Sequence, residues 1–171
     1  MKSDYITRAK KFLMAFIPYL ENFSALQSPM VWKFQYAAHA FNEDFHRKVI
    51  IANGATRVVI MTSDYVIKFD YSADVECYGG CEKEVSTYKE VVEEGFGYLF
   101  AETTPFTFNQ YHFCIMPRIK GKTYCGWNGI YDFLTDEETD FIDDHFYDLH
   151  NENWKLVNGN PIIFDYAANN L

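Results

Sequence analysis

The sequence lacks any apolar run long enough to cross a membrane. Its first apolar segment, FLMAFIPYL at residues 12–20, contains Pro18 and continues directly into LENFSAL. A membrane-spanning helix needs about 20 consecutive apolar residues, and this segment also does not resemble a secretory leader. We therefore expect a soluble, cytoplasmic protein with no membrane partner.

Cysteine is scarce, and its spacing does not form a metal site. No CxxC pair occurs, and His112 beside Cys114 is too small a cluster for zinc, which takes four ligands at recognisable spacings. Reduced thiols in a reducing cytoplasm are the expected state. The four cysteines are Cys77, Cys81, Cys114 and Cys125.

Positive charge is also in short supply. The chain has 15 Lys and Arg residues against 24 Asp and Glu residues, which gives a net charge of −9. Such a balance argues against a broad phosphate-binding surface, so we expect no nucleic-acid partner. The acidic segments DEETDFIDD and EVVEEG could instead imitate nucleic acid, but a decoy of that kind would not need the polar motifs described below.

Aromatic and apolar residues, by contrast, are abundant. Apolar residues make up 49% of the 171 residues and aromatic residues 19%, a composition that excludes a disordered or low-complexity chain. The sequence shows no internal repeat and no linker rich in Pro, Ser or Gly. It is most simply one folded domain with a substantial core.

The N-terminal part of the chain has the spacing of helices. Residues 4–27 carry apolar side chains at helical intervals, with Pro18 as a point where the helix could kink or divide. MVWKFQYAAHAFNEDFHRK follows as a second helix, or as a helix followed by a loop. Then the β-branched runs VII, VVIM and YVIKF, divided by NG and TSD turn residues, predict three antiparallel strands.

The rest of the chain alternates between helices and strands. A helix is predicted from beyond Gly80 to Gly95, followed by the strands YLFAE and YHFCIMPRI. Thr135 and Glu138 form a capping-box pattern at the start of a helix that runs to about Tyr147. A turn at NG then leads into the last strand, PIIFDY.

Polar residues follow these elements in the order that phosphoryl transfer requires. That chemistry needs a lysine for the α- and β-phosphates, a glutamate to orient it, two metal-ligating side chains and a carboxylate beside the attacking hydroxyl. Residues that could fill each role occur at YVIKF, GCEKEVSTYKE, DLHNEN and IIFDYA. In motifs and element order the chain resembles the protein kinase and aminoglycoside phosphotransferase superfamily.

The resemblance covers roughly residues 48–167 and implies an α+β fold. Residues 48–118 would form a kinase-like N-terminal lobe of five antiparallel strands and one helix. Residues 119–171 would form a minimal C-terminal lobe with the catalytic loop and a metal-binding aspartate. Residues 1–47 would be extra helices packed on the N-terminal lobe. The implied cofactors are ATP and Mg²⁺.

Lys68 and a helical glutamate are the first pair of implied site residues. Lys68 in YVIKF resembles the lysine of the kinase V-A-I-K strand, and its apolar neighbours are typical of a central strand. Glu84 is the favoured partner, because the apolar residue after it and Tyr88 one turn later resemble an inward helix face. Glu82 and Glu90 remain alternatives.

The DLHNEN segment carries the implied catalytic loop. It resembles the kinase D-L-K-P-E-N and, through His150, the D-L-H-x-x-N of small-molecule phosphotransferases. By this resemblance Asp148 is the catalytic carboxylate, Asn153 is a metal ligand, and Asp165 takes the place of the aspartate in D-F-G as the principal Mg²⁺ ligand.

The implied nucleotide loop matches its motif only in part. NGATRVV resembles G-x-G-x-x-G-x-V, yet it keeps only Gly54 of the three glycines, and Ala52 and Arg57 replace the others. Arg57 could itself contact phosphate, and Val59 matches the valine of the motif. Met116 falls in the hinge, where the backbone would bind adenine.

The departures from the motifs bear on the acceptor. Phe146 and Tyr147 replace the histidine and arginine of H-R-D, and six residues follow Asp165, leaving no room for peptide-docking helices. This compactness resembles kinases encoded by phages or delivered as bacterial effectors, acting in the host cytoplasm. A folded protein acceptor is therefore expected, with a small molecule as the other option. The alternative function is an inactive kinase-like protein that binds nucleotide or inhibits a host enzyme.

Overall fold

The computed structural model describes residues 3–46, 48–53, 57–70, 80–109, 111–147, 149–167 and 169–171. Two helices come first, α1 at Ser3–Asn22 and α2 at Met30–Phe45. Pro18 lies inside α1, which ends at Asn22, so the prediction of helix up to residue 27 was too long. Within the described ranges, no helix combines the length and apolarity needed to span a membrane.

Five strands form one antiparallel sheet. They are β1 at Ile50–Asn53, β2 at Arg57–Met61, β3 at Tyr65–Asp70, β4 at Thr104–Phe108 and β5 at Tyr111–Pro117, in the spatial order β1-β2-β3-β5-β4. Helix α3, at Cys81–Glu93, connects the third strand to the fourth in sequence. The predicted α+β fold, with a five-stranded antiparallel sheet and helices, is confirmed.

One face of the sheet, here called the outer face, packs against α1 and α2. The alternation of side chains along each strand sends every second residue to this face. Val58 and Ile60 of β2, together with Ile67 and Phe69 of β3, join the helices in one apolar core. The helical residues of this core include Phe12, Leu13, Phe16, Ile17, Phe34, Ala37 and Phe41.

A second apolar core, which includes Val91, Ile142 and Trp154, supports the C-terminal segment. Helix α4, at Asp136–His145, begins with the predicted capping box, in which the Glu138 backbone N–H donates to Thr135 and the Thr135 N–H donates to the Glu138 carboxylate. Strands β6 at Trp154–Val157 and β7 at Asn160–Ile163 form an antiparallel hairpin. Its turn residues Asn158 and Gly159 have φ angles of 54° and 87°, the left-handed geometry of an Asn-Gly turn.

The fourth strand of the sheet is not the predicted one. YLFAE forms a 3₁₀ turn at Gly97–Leu99 and then one bridge between Phe100 and Ile163 of β7. The cause is the end of α3, where Gly95 adopts a φ of 91° and a Cβ on Gly97 would lie 2.5 Å from Val92 Cγ2. This tight turn sends the chain towards β7, and TPFTF forms β4 instead.

Candidate active site

Lys68 lies on the inner face of the sheet, opposite α1 and α2. The antiparallel register places it between Val59 of β2 and Cys114 of β5. Its neighbours in sequence, Ile67 and Phe69, point to the outer core. Strand alternation therefore buries this lysine among apolar side chains, at 4% exposure. A buried ammonium requires compensating partners.

Glu84, in the first turns of α3, provides one of those partners. Lys68 Nζ donates to Glu84 Oε1 at 2.6 Å, and the glutamate has no solvent exposure. The Cys114 thiol and the Tyr166 backbone N–H also donate to this carboxylate, both at 3.4 Å. Of the three glutamates considered from the sequence, Glu82 is exposed and Glu90 is half-buried.

Asp165 reaches the same lysine from the C-terminal hairpin. Lys68 Nζ lies 2.9 Å from the Phe164 carbonyl oxygen and 3.3 Å from Asp165 Oδ1. The hairpin register pairs Trp154 with Ile163, and the Phe164 N–H donates to the Asn153 carbonyl at 2.8 Å. Asn153 and Asp165, the two implied metal ligands, therefore come from neighbouring chain segments at the open end of one hairpin.

Arg57 completes the cluster in a way that the sequence did not predict. One terminal nitrogen of its guanidinium lies 3.0 Å from Glu84 Oε2, and the other lies 2.5 Å from Asp165 Oδ1. Strand parity was the available signal, because Arg57 is two residues from Val59, which lies beside Lys68. We call Arg57, Lys68, Glu84 and Asp165 the buried quartet.

The opposite charges of the quartet shift the pKa values of three of its members. Burial alone would lower the pKa of Lys68, but the charges of Glu84 and Asp165 outweigh it and hold the pKa above the ordinary 10.5. The same two carboxylates raise the pKa of Arg57 despite its burial. Burial would raise the pKa of Asp165, yet Lys68 and Arg57 lower it below the ordinary 3.8. These three side chains therefore all carry charge near neutral pH.

Of the remaining residues implied by the resemblance, the structure describes some and not others. Val59 faces Lys68 across the sheet, and Met116 is buried on β5, two residues from Cys114 on the same face. Gly54 and Asp148 lie outside the described residues, as does Cys77. The structure therefore brings together Lys68, Glu84, Asp165 and Arg57 by direct contact, with Asn153 next to them through the hairpin.

The donor set suits a magnesium nucleotide. Asp165 keeps 44% of its side chain exposed, whereas Lys68 and Arg57 retain 5% and 12%, so the carboxylate is the member of the quartet most open to solvent. Carboxylate and amide oxygens, as in Asp165 and Asn153, are ligands that Mg²⁺ accepts alongside water and phosphate. In the described part of the chain, no three His, Cys, Asp or Glu side chains gather into a metal site.

Comparisons with known proteins give little beyond this geometry. The sequence matches no known protein-family profile and no curated protein. Among solved structures, the chain is similar to a streptomycin-ATP-APH(2")-IIa ternary complex, with a TM-score of 0.45 and 11% sequence identity. The match covers 77% of this chain and 70% of that one.

Proposed function

We propose that the protein is a phosphotransferase that uses Mg²⁺ and ATP to phosphorylate a hydroxyl group, with a folded protein as the acceptor. The observation that carries the proposal is the contact of Lys68 Nζ with both Glu84, at 2.6 Å, and Asp165, at 3.3 Å. These residues come from a strand, a helix and the segment after a hairpin. A buried lysine held between two carboxylates, one of which is open to solvent, is an arrangement typical of functional sites.

Each side chain has a defined task in this proposal. Bound Mg²⁺ and ATP would supply the phosphoryl group and neutralise the charge that develops on it. Lys68, oriented by Glu84, would bind phosphate oxygens. Asp165 and Asn153 would ligate the metal. Asp148 would accept the proton of the acceptor hydroxyl. The hydroxyl oxygen would bond to the γ-phosphorus as the bond from that phosphorus to the β-phosphate oxygen breaks.

The direct test is phosphate transfer from γ-labelled ATP, with a cell lysate and a panel of small hydroxylated molecules as separate acceptors. We expect label in protein, in the presence of Mg²⁺, for the wild type. Lys68→Met and Asp165→Ala should abolish it, whereas the matched variants Lys120→Met and Asp140→Ala, at exposed positions, should retain it. Equal labelling by wild type and Asp165→Ala would rule the proposal out, and label confined to the small molecules would reassign the acceptor.

The second candidate function is nucleotide binding without transfer. It is favoured by the ion pairs that already engage Asp165, because two cations occupy its Oδ1. In that case a magnesium nucleotide would raise the melting temperature, and no acceptor in the lysate or the panel would be labelled. The same labelling experiment therefore separates the two functions.

A further inference from the structure

Arg57 stands where the glycine-rich motif G-x-G-x-x-G-x-V has a glycine, and its side chain points into the site. Its side chain is only 12% exposed, and its two terminal nitrogens contact two different carboxylates, those of Glu84 and Asp165. An arginine fork normally matches one carboxylate or one phosphate with two parallel bonds. Here it is divided between two acceptors, one of which is the implied metal ligand.

Lys68 and Arg57 compete for a single oxygen of Asp165. Lys68 Nζ lies 3.3 Å from Oδ1 and the Arg57 nitrogen 2.5 Å from the same atom. A divalent cation bound by this carboxylate would meet two fixed positive charges within a few ångströms, and like charges at that distance repel strongly in a partly buried site. Free Mg²⁺ is therefore expected to bind poorly.

The formal charges explain what would change this balance. In the quartet the positive charges of Lys68 and Arg57 cancel the negative charges of Glu84 and Asp165. A divalent cation alone would leave the cluster with excess positive charge. A polyphosphate arriving with the cation would supply negative charge to the same place and offer Arg57 a new acceptor for its fork.

We propose that Arg57 is a latch that makes metal and nucleotide bind together: it holds Asp165 while the site is free, and it transfers to phosphate when Asp165 takes the metal. The inference rests on the proposed function, because it takes the nucleotide as the ligand. A purely structural Arg57 would stabilise the fold equally with and without ligands. A latch opposes the binding of metal alone and favours the binding of metal with nucleotide.

The test compares wild type with Arg57→Met and Arg57→Lys, using Arg8→Met as the control. Arg8 is an exposed arginine of α1 that pairs with Asp64, away from the quartet, so its variant removes the same charge. Calorimetry and melting temperature would be measured with Mg²⁺ alone, with ATP in excess EDTA, and with Mg²⁺ plus a non-hydrolysable ATP analogue. None of these readouts depends on catalytic turnover.

Arg57→Met is expected to bind Mg²⁺ alone about tenfold more tightly and the magnesium–analogue complex about tenfold more weakly, on the scale of one charge-assisted hydrogen bond. Arg57→Lys should change each affinity in the direction in which Arg57→Met changes it, but by a smaller factor, because one ammonium cannot span two carboxylates as the fork does. Arg8→Met should match the wild type. If Arg57→Met does not fold, Arg57→Lys decides the test alone.

The latch is overturned if the Arg57 variants leave both affinities unchanged or shift them in the same direction. A failure of the proposed function has a different appearance, in which the wild type itself binds neither ATP nor the magnesium–analogue complex. In that event the arm with Mg²⁺ alone still reports whether Arg57 controls Asp165, because tighter metal binding by the variants does not depend on a nucleotide.

Discussion

The two faces of the five-stranded sheet make different interactions, with aromatic packing on the outer face and ion pairs on the inner face. On the outer face, Phe34 of α2 packs between Phe16 of α1 and Phe69 of β3, with ring centroids 6.1 and 5.1 Å apart. On the inner face, one residue earlier in the same strand, Lys68 contacts Glu84 and Asp165. A shift of one position along β3 therefore changes an apolar core into a buried cluster of charges.

The difference indicates what each face contributes. Burial of aromatic side chains stabilises the fold roughly in proportion to the area removed from water. Buried ion pairs lose hydration that their mutual attraction only partly restores, so apolar residues of similar volume often stabilise a fold as well or better. The outer face therefore stabilises the fold by apolar burial, whereas the buried charges of the inner face must keep their partners and are consistent with the binding site proposed above.

The largest expected effect comes from removing the centre of the inner face. Glu84→Ala should lower the free energy of unfolding by about 3–5 kcal/mol, because it leaves Lys68 and Arg57 with Asp165 as their remaining carboxylate partner. It should also weaken the binding of a magnesium nucleotide, since Lys68 loses the group that orients it. Urea unfolding and calorimetry with the ATP analogue would measure the two effects.

Glu82→Ala is the matched control for that change. Glu82 lies on the same helix, two residues earlier, and is exposed, so its removal should change stability by less than about 0.5 kcal/mol. If the two glutamate variants lose similar stability, the contacts of Glu84 with Lys68 and Arg57 do not stabilise the fold.

A comparable loss of stability is expected on the outer face, but without the effect on ligands. Phe34→Ala should cost about 3–5 kcal/mol, because the side chain is fully buried and its removal leaves a cavity. The affinity for the magnesium nucleotide, measured at a temperature where the variant is fully folded, should stay at the wild-type value. A parallel loss of affinity would show that the two faces are coupled and would break the comparison.

The sequence predicted the inner face better through chemistry than through periodicity. Lys68, Glu84 and Asp165 were chosen because a nucleotide site needs those groups in that order, and the fold brings them within hydrogen-bonding distance. What the sequence could not provide was the engagement of Arg57 with two carboxylates. That contact depends on the separation between α3 and the hairpin, which no local pattern encodes.

The helices and strands were predicted from local patterns alone, and the errors of that prediction are those of local rules. The helices, the first three strands and the capping box at Thr135 followed from periodicity and turn residues. The fourth strand was misassigned because YLFAE has strand propensity, yet the tight turn after α3 directs it to the hairpin. Tertiary contacts override propensity most readily in such short segments.

A smaller change on the outer face would sharpen the contrast within β3 itself. Ile67→Val removes one methylene from a fully buried side chain adjacent to Lys68, and should cost about 0.5–1.5 kcal/mol. Because Ile67 points away from the quartet, we expect no change in nucleotide affinity. Thermal unfolding and the binding assay would check both statements, and weakened nucleotide binding would mean that the position of Lys68 depends on the outer packing.

The smallest expected effect is a pH dependence confined to the inner face. The pKa of Asp165 is lowered by Lys68 and Arg57, so its ion pairs contribute stability above the ordinary value of 3.8, and that contribution is lost as the pH falls through the lower folded-state pKa. The raised pKa of Lys68 acts in the opposite range, with stability lost only as the pH rises beyond 10.5. Between these limits the quartet should stabilise the fold uniformly.

Asp165→Asn isolates the acid side of this profile. The difference in unfolding free energy between wild type and Asp165→Asn should be constant near neutral pH. It should shrink as the pH falls below the ordinary 3.8 towards the lower folded-state pKa, because there the carboxylate of the unfolded chain protonates before that of the folded protein. Solvent screening keeps the difference modest, because 44% of the Asp165 side chain is exposed. Ile67→Val provides the contrast, since it alters no titrating group and its cost should not vary with pH. A difference for Asp165→Asn that stays constant through the acid range would mean that Asp165 is not held by its two cations.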